Sequence, residues 1–332
     1  MATEHSTVTS EVVTRAGVRR GSTQERAAEK PVRWAARIPL LDHGVYADGL
    51  PLHQVQYLCA KMILRPNRLR SRKSLFDFGK VLHIPAKQNG ATFSVGAFKN
   101  EAIQIREVLF VDTADFRLYN NQFILRRRIR YEDGFPAEEP EIVFKFRHTD
   151  VQTAAETDVR PQILGDHRVK FKCQALPLKG QLGGTRLLFS HGVQFPRSNV
   201  SETDVFSMST LTKIFPVLER IRSDPHERIT LVSNTIVEEV LQNIGTIDFG
   251  EGIRAKVNVG VWRTRGEHRP LIGEFSFQIR FEHHEDLDLD AVKRAEAFFI
   301  ALQFEAQDWI SLDVTKTAAV YRLGGYAPTA HE

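Results

Sequence analysis

The sequence predicts an α+β fold in which strands dominate and helices gather between and after them. Three observations carry this. Seven segments read as strands, five of them alternating apolar and polar residues, and four others place apolar residues at helical spacing. The two kinds do not alternate regularly along the chain, as they would in a doubly wound α/β fold.

Taken in order, residues 1–36 are rich in Ser, Thr, Ala, Glu and Arg, lack apolar periodicity and read as a flexible tail. Glu4, Glu11, Glu25 and Glu29 depart from the acid-poor composition of a mitochondrial presequence. One folded unit over about 50–325 follows. Its strand-like segments are 56–64, 105–112, 122–131, 141–148, 168–174, 253–263 and 271–281. Leu75, Phe76, Gly79, Val81 and Leu82 predict a helix over 72–85. Leu211, Ile214, Phe215, Leu218 and Ile221 predict another over 209–222, despite Pro216. A capping box at Thr235 to Glu238 and a stop at Gly245 predict a third. The last, 289–305, opens near Asp290 and places Val292, Ala295, Phe299 and Leu302 on one face.

Composition excludes several classes. With 42% of its 332 residues apolar and 26% charged, the chain reads as globular and not as disordered or fibrous. Cys59 and Cys173 have no CxxC partner, so a disulfide framework or zinc ribbon is not available, and a reducing, cytoplasmic setting fits. No run approaches the roughly 18 apolar residues of a membrane span, and the start lacks a signal-peptide core. A net charge of +4 is too mild to argue for nucleic acid by itself, so the placement of charge matters more.

Residues of one parity share a face of a strand. Arg126, Arg128 and Arg130 share one face of 122–131. Lys145 and Arg147 do so in 141–148, opposite Ile142, Phe144 and Phe146. Arg168, Lys170 and Lys172 lie opposite Val169, Phe171 and Cys173; Arg254, Lys256 and Asn258 lie opposite Ala255, Val257 and Val259. Glu274, Ser276, Gln278 and Arg280 lie opposite Phe275, Phe277 and Ile279. Two arrangements accommodate this pattern. Either the cationic faces meet water on an open antiparallel sheet, or the sheet closes and turns them inward on a lumen where a polyanion supplies the counter-charge.

The order of these residues resembles the CYTH superfamily, the triphosphate tunnel metalloenzymes. The resemblance rests on Val111-Asp112-Thr113-Ala114-Asp115-Phe116, on Leu125-Arg126-Arg127-Arg128, and on Phe144-Lys145. Ala60-Lys61-Met62 is similar to that family's lysine-ending first strand. Arg254-Ala255-Lys256-Val257-Asn258 and Gly273-Glu274-Phe275 resemble strands of its polyphosphate-polymerase (VTC) branch, and Thr315-Lys316 its terminal Ser-Lys. The order holds over 56–322, with an insertion at about 175–235.

The resemblance implies an eight-stranded antiparallel β-barrel, a tunnel with flanking helices that holds triphosphate or polyphosphate. Active members hydrolyse, cyclise or polymerise phosphate with a divalent metal. Carried over residue by residue, Lys61, Arg126, Arg128, Lys145, Arg254, Lys256 and Lys316 become phosphate contacts and Glu274 a ligand of Mg²⁺ or Mn²⁺. The chain departs from the family at the first strand, where Tyr57 and Cys59 stand in place of two glutamates, and Asn258 replaces an aspartate. Two functions follow: a metal-dependent phosphohydrolase of inorganic or organic triphosphates, or a polyanion-binding module that has lost its metal seat. Nucleic acid is a third and weaker partner, because surface aromatics for base stacking are not evident.

Other signals are set aside. Adjacent His283 and His284 on extended backbone point to opposite faces and read as a turn with Glu285 and Asp286. Ser190-His191 lacks a nucleophile elbow and reads as loop. Glu238 and Glu239 read as a helix cap and an exposed face.

Overall fold

The computed structural model describes residues 31–34, 44–200, 207–221, 224, 226–312 and 314–325. In chain order the elements are β1 (Tyr57–Leu64), α1 (Arg72–Val81), α2 (His83–Gln88), β2 (Thr92–Ser94), β3 (Gln104–Asp112), α3 (Arg117–Asn120), β4 (Phe123–Glu132), β5 (Phe135–Pro136) and β6 (Glu141–His148). There follow α4 (Val151–Glu156), β7 (Arg168–Leu178), β8 (Gln181–Pro196), α5 (Met208–Ile214), β9 (Thr230–Asp248), β10 (Arg254–Thr264), β11 (Pro270–Arg280), α6 (Leu289–Glu305) and α7 (Lys316–Tyr321).

Hydrogen bonding runs β10-β11-β1-β7-β8-β6-β4-β3-β9 and returns from β9 to β10, so the sheet closes on itself. Closure leaves no edge in the wall itself. Among the described residues the wall has nine strands, one more than the eight the resemblance implies. It is also mixed and not wholly antiparallel, because β1 runs parallel to β7. Residues 181–196 of the 175–235 segment form a strand of the wall between β7 and β6.

Alternation decides which face turns out. Leu58, Ala60 and Met62 of β1 and Phe275 and Phe277 of β11 pack outward against Phe78 of α1 and Phe298, Phe299 and Leu302 of α6. Burying each such ring stabilises the fold by roughly 1.5–3 kcal/mol. Leu125, Phe144, Val193 and Phe195 pack outward against Leu211 and Phe215 around α5. The opposite parity of the same strands is polar and faces the lumen. A third apolar cluster lies inside one end of the barrel, where Val320 and Tyr321 of α7 meet Phe110, Ile124, Trp262 and Ile272. Helix α7 therefore enters the tunnel as a plug.

Three local expectations change. The segment 235–245, assigned by its capping-box spacing to a helix, is the middle of β9. Thr235, Ile236, Val237 and Val240 are β-branched and favour extended backbone, and Val237, Glu239 and Leu241 alternate inward. Gly245 marks close approach by β2 and not a helix stop: a Cβ there would run into the Ser94 carbonyl. Ser190-His191 is strand, within β8. The 209–222 helix stops at Ile214, because Pro216 cannot continue it, and resumes as a short 3₁₀ turn over Pro216–Ile221.

Of the segment expected as a tail, residues 1–30, 35 and 36 lie outside the described residues. Trp34 packs between Phe277 and Phe299 on the outer wall, and its ring N–H donates to Thr185 Oγ1 at 3.0 Å.

Candidate functional site

Inward-facing residues from the barrel strands converge on a cavity of about 230 Å³. Ten Lys and Arg side chains line it against two carboxylates, Glu239 and Glu274, so the chamber carries a large excess of positive charge. Of the residues singled out from the sequence, Lys61, Arg126, Arg128, Lys145, Glu274 and Lys316 all meet there. Arg254 and Lys256 do not line it. Arg254 sits exposed at the start of β10, its Nε 2.7 Å from Asp248 Oδ2, and Lys256 lies over the Phe98 ring at 5.2 Å.

On the β4–β6–β7 side some cations are satisfied. Arg128 is paired with Glu141, which also accepts from Gln194 Nε2 at 3.0 Å. Lys170 donates to Gln194 Oε1 at 2.9 Å and Lys172 to Gln278 Oε1 at 2.7 Å. Others are not. Among the described residues Lys61, Arg126 and Lys145 form no hydrogen bond or ion pair, and Arg126 Nε is buried without an acceptor.

Their surroundings penalise the positive charge. Burial pushes Lys61 down to about 8 against the pull of Glu274. Burial, then Arg126 and Arg147, push Lys145 well below the usual lysine range. Burial and neighbouring Arg128 push Arg126 down as well, although a guanidinium stays protonated near neutral pH. Positive charge crowded into a low-dielectric space without acceptors is what an entering anion relieves.

The opposite side is arranged differently. Glu239 of β9 and Glu274 of β11 flank β10, and the Lys316 ammonium at the start of α7 lies between them, 3.1 Å from Glu239 Oε1 and 2.8 Å from Glu274 Oε1. Glu239 also accepts from Trp262 Nε1 at 2.8 Å and pairs with Arg106 at 3.4 Å. Burial works to raise the Glu239 pKa, but Lys316 and Arg106 outweigh it and hold the carboxyl well below the usual range. Burial likewise works against Lys316, and Glu274 and Glu239 outweigh it to hold the ammonium up.

Asp112 and Thr113 position this end of the tunnel and take no place in the chamber. The Asp112 carboxylate accepts from the backbone N–H groups of Thr113, Leu118 and Tyr119, and from Tyr321 Oη at 3.0 Å. It thereby ties the turn after β3 to α7, whose Tyr321 stacks on Tyr119 at 4.3 Å.

Sequence reasoning set Glu239 aside as the cap or exposed face of a helix, whereas it is buried on β9, and it passed over Arg106 and Trp262. For Glu239 the signal was present, since Val237-Glu238-Glu239-Val240-Leu241 alternates as a strand. The capping-box spacing competed with it.

Carboxylate oxygens are the donors that Mg²⁺ or Mn²⁺ takes. Among the described residues no group of three or more His, Cys, Asp or Glu is placed to hold an ion. The two carboxylates that do converge are already bridged by Lys316, and Glu239 is further engaged by Arg106 and Trp262. As arranged, the donor set does not fit a resident divalent metal.

No family model matches the chain, and no curated protein matches it in sequence. Solved structures similar in shape include a Hippeastrum candidate adenylyl cyclase described as having a dominant triphosphatase activity, at 12% identity and TM-score 0.37, covering 84% of this chain and 100% of that one. A candidate adenylate cyclase from Bacillus halodurans matches at 10% identity and TM-score 0.34, covering 79% of this chain and 94% of that one. A Pyrococcus horikoshii protein matches at 11% identity and TM-score 0.28, covering 74% and 89%. The wall closes into a β-barrel with flanking helices, the α+β architecture the sequence predicts. Among the described residues no helix is long and apolar enough to cross a membrane.

Proposed function

We propose that the tunnel binds the phosphate chain of an inorganic or organic triphosphate, or the end of a polyphosphate. The observation that carries this is the trio Lys61, Arg126 and Lys145, which line one chamber and, among the described residues, form no hydrogen bond or ion pair. A linear run of phosphates presents several negative charges in a narrow cross-section, and Arg can bind two phosphate oxygens at once while Lys acts as a point charge. Nucleic acid is a poorer fit, because the cations lie inside a plugged barrel and not on a surface stripe. Buried, free Cys59 and Cys173 suit a reducing, cytoplasmic setting.

A second reading, metal-dependent hydrolysis of such triphosphates, is favoured by Glu274. It lines the chamber, and one of its oxygens bonds Lys316. Phosphoryl transfer depends chiefly on positioning and charge neutralisation, and the cations here would supply both.

The deciding experiment pairs calorimetric titration of inorganic triphosphate with assays of phosphate release from triphosphate and ATP, in Mg²⁺ and in Mn²⁺. Binding without turnover supports the first reading. Turnover that requires a metal and collapses in Arg126→Ala supports the second, and indifference to triphosphate in every arm sinks both. Competition with a single-stranded oligonucleotide separates the nucleic-acid alternative, since the chamber should prefer the small ligand.

A further inference from the structure

Lys316 lies between the two carboxylates that line the chamber. Its ammonium touches one oxygen of each carboxylate, at 2.8 and 3.1 Å, and lies 4.6 Å from the centre of the Trp262 ring, which supplies a third, π-type partner. The pair of carboxylates carries two negative charges, and Lys316 with Arg106 balances both. A divalent ion added to that balanced group would leave excess positive charge beside Lys61, which among the described residues forms no hydrogen bond or ion pair.

Nor is Lys316 a loose side chain that a metal could simply push aside. It begins a helix capped by Thr315, whose hydroxyl accepts from Ala318 N at 3.2 Å, and the other end of that helix is held by Tyr321 through Asp112 and the Tyr119 stack. The backbone of Lys316 is therefore fixed over Glu239 and Glu274, and its ammonium has two carboxylates within reach.

We propose that Lys316 is a built-in counter-ion that replaces the divalent metal between Glu239 and Glu274, so that the chamber takes its phosphate chain as the metal-free anion. The second half of this statement rests on the phosphate-chain reading above; the first half does not. Excess Mg²⁺ then competes for the free anion and weakens binding, because it complexes the ligand without finding a seat in the protein.

The test has two arms on the full chain. In the first, Mn²⁺ alone is titrated and free Mn²⁺ is followed by electron paramagnetic resonance. The wild type should show no saturable site below millimolar Mn²⁺, and Lys316→Met should gain one at least tenfold tighter than anything in the wild type. In the second arm, inorganic triphosphate is titrated calorimetrically in EDTA and in excess Mg²⁺. Wild type should bind at least as tightly in EDTA, and Lys316→Met should bind tightly only with Mg²⁺ present. A micromolar Mn²⁺ site in the wild type overturns the counter-ion assignment, and so does triphosphate binding that needs Mg²⁺. Both of those results come from the wild type and stand even if Lys316→Met fails to fold. Absence of triphosphate binding in both buffers removes the phosphate-chain reading, while the Mn²⁺ arm still decides who occupies the seat.

Discussion

On the β4–β6 side of the chamber Arg126 and Lys145 face the lumen without a counter-ion, whereas on the β9–β11 side Glu239 and Glu274 share Lys316, and Glu239 also takes Arg106 and Trp262. The backbone logic is the same on both sides: alternating strands turn apolar residues out to the helices and polar residues in. The difference lies in bookkeeping of charge. One side is complete in the empty protein and contributes to its stability. The other is incomplete, destabilises the empty protein, and becomes favourable when an anion enters. A binding site and a structural ion-pair network can thus stand on facing walls of one barrel and be told apart by which charges already have partners.

The largest expected effect comes from breaking the complete side. Glu239→Gln leaves Lys316 and Arg106 short of a buried carboxylate and should destabilise the fold by roughly 3–5 kcal/mol, the usual cost of removing one partner of a buried pair. Urea denaturation at neutral pH measures it. A loss below about 1 kcal/mol, the worth of an exposed pair, would mean that the two sides do not differ as described.

The next effect comes from the incomplete side. Arg126→Ala and Lys145→Ala should each weaken inorganic triphosphate by roughly 10–100-fold, since a hydrogen bond to a charged group is worth about 1.5–3 kcal/mol. Both variants should melt at or above the wild-type temperature, because each removes uncompensated positive charge. Calorimetry and thermal denaturation on the same samples read both quantities. Loss of stability in step with loss of affinity would show that these cations are structural after all.

How much of this was legible in the sequence depends on the period of each segment. The cationic faces of 122–131, 141–148 and 168–174 could be read because charged residues recur there with the two-residue period of a strand, Arg127 excepted, and the structure turns all three inward. The outer helix at 289–305 could be read for the corresponding reason at helical spacing. The acidic side could not. Glu239 lies in a stretch where Thr235 and Glu238 mimic a capping box, and only pairing with β3 and β10 settles it as strand. The bridge from Lys316 to Glu239 and Glu274 spans 77 and 42 positions and is set by where α7 plugs the barrel, which no local pattern encodes. Trp34 illustrates the same limit at the other end of the chain. A lone aromatic in a polar segment gives no periodicity, yet it is fully buried against Phe277 and Phe299.

A pH titration sharpens the comparison further, because the two quantities should move in opposite directions. Lys61 and Lys170 are both pushed down to about 8 in the folded protein, Lys61 by burial and Lys170 by burial together with Arg168 and Lys172. Between about pH 8 and the ordinary lysine pKa of roughly 10.4 the unfolded chain holds these protons and the folded chain does not, so stability of the empty protein should rise with pH. Over the same window the chamber loses positive charge, and affinity for triphosphate should fall. Chemical denaturation and calorimetry at pH 7, 8, 9 and 10 would show the crossing trends, and parallel trends would contradict a role for Lys61 in holding the anion.

The smallest effect is expected at the rim. Arg254 and Lys256 belong to the same alternating face of β10 that reaches the chamber at Asn258 and Trp262, so face alone would enrol them in binding. Depth separates them. Arg254 is 74% exposed at its side chain and already paired with Asp248, and an exposed pair of this kind is worth at most about 1 kcal/mol. Arg254→Ala should therefore change triphosphate affinity less than about threefold at 0.15 M salt, where exposed charges are screened beyond about 8 Å. Lowering the salt tenfold should enlarge the effect, because the Arg254 charge then acts at longer range on an incoming anion. A loss comparable to that of Arg126→Ala at either salt would extend the binding site to the rim and erase the distinction between a lumen that holds the phosphate chain and a mouth that only attracts it.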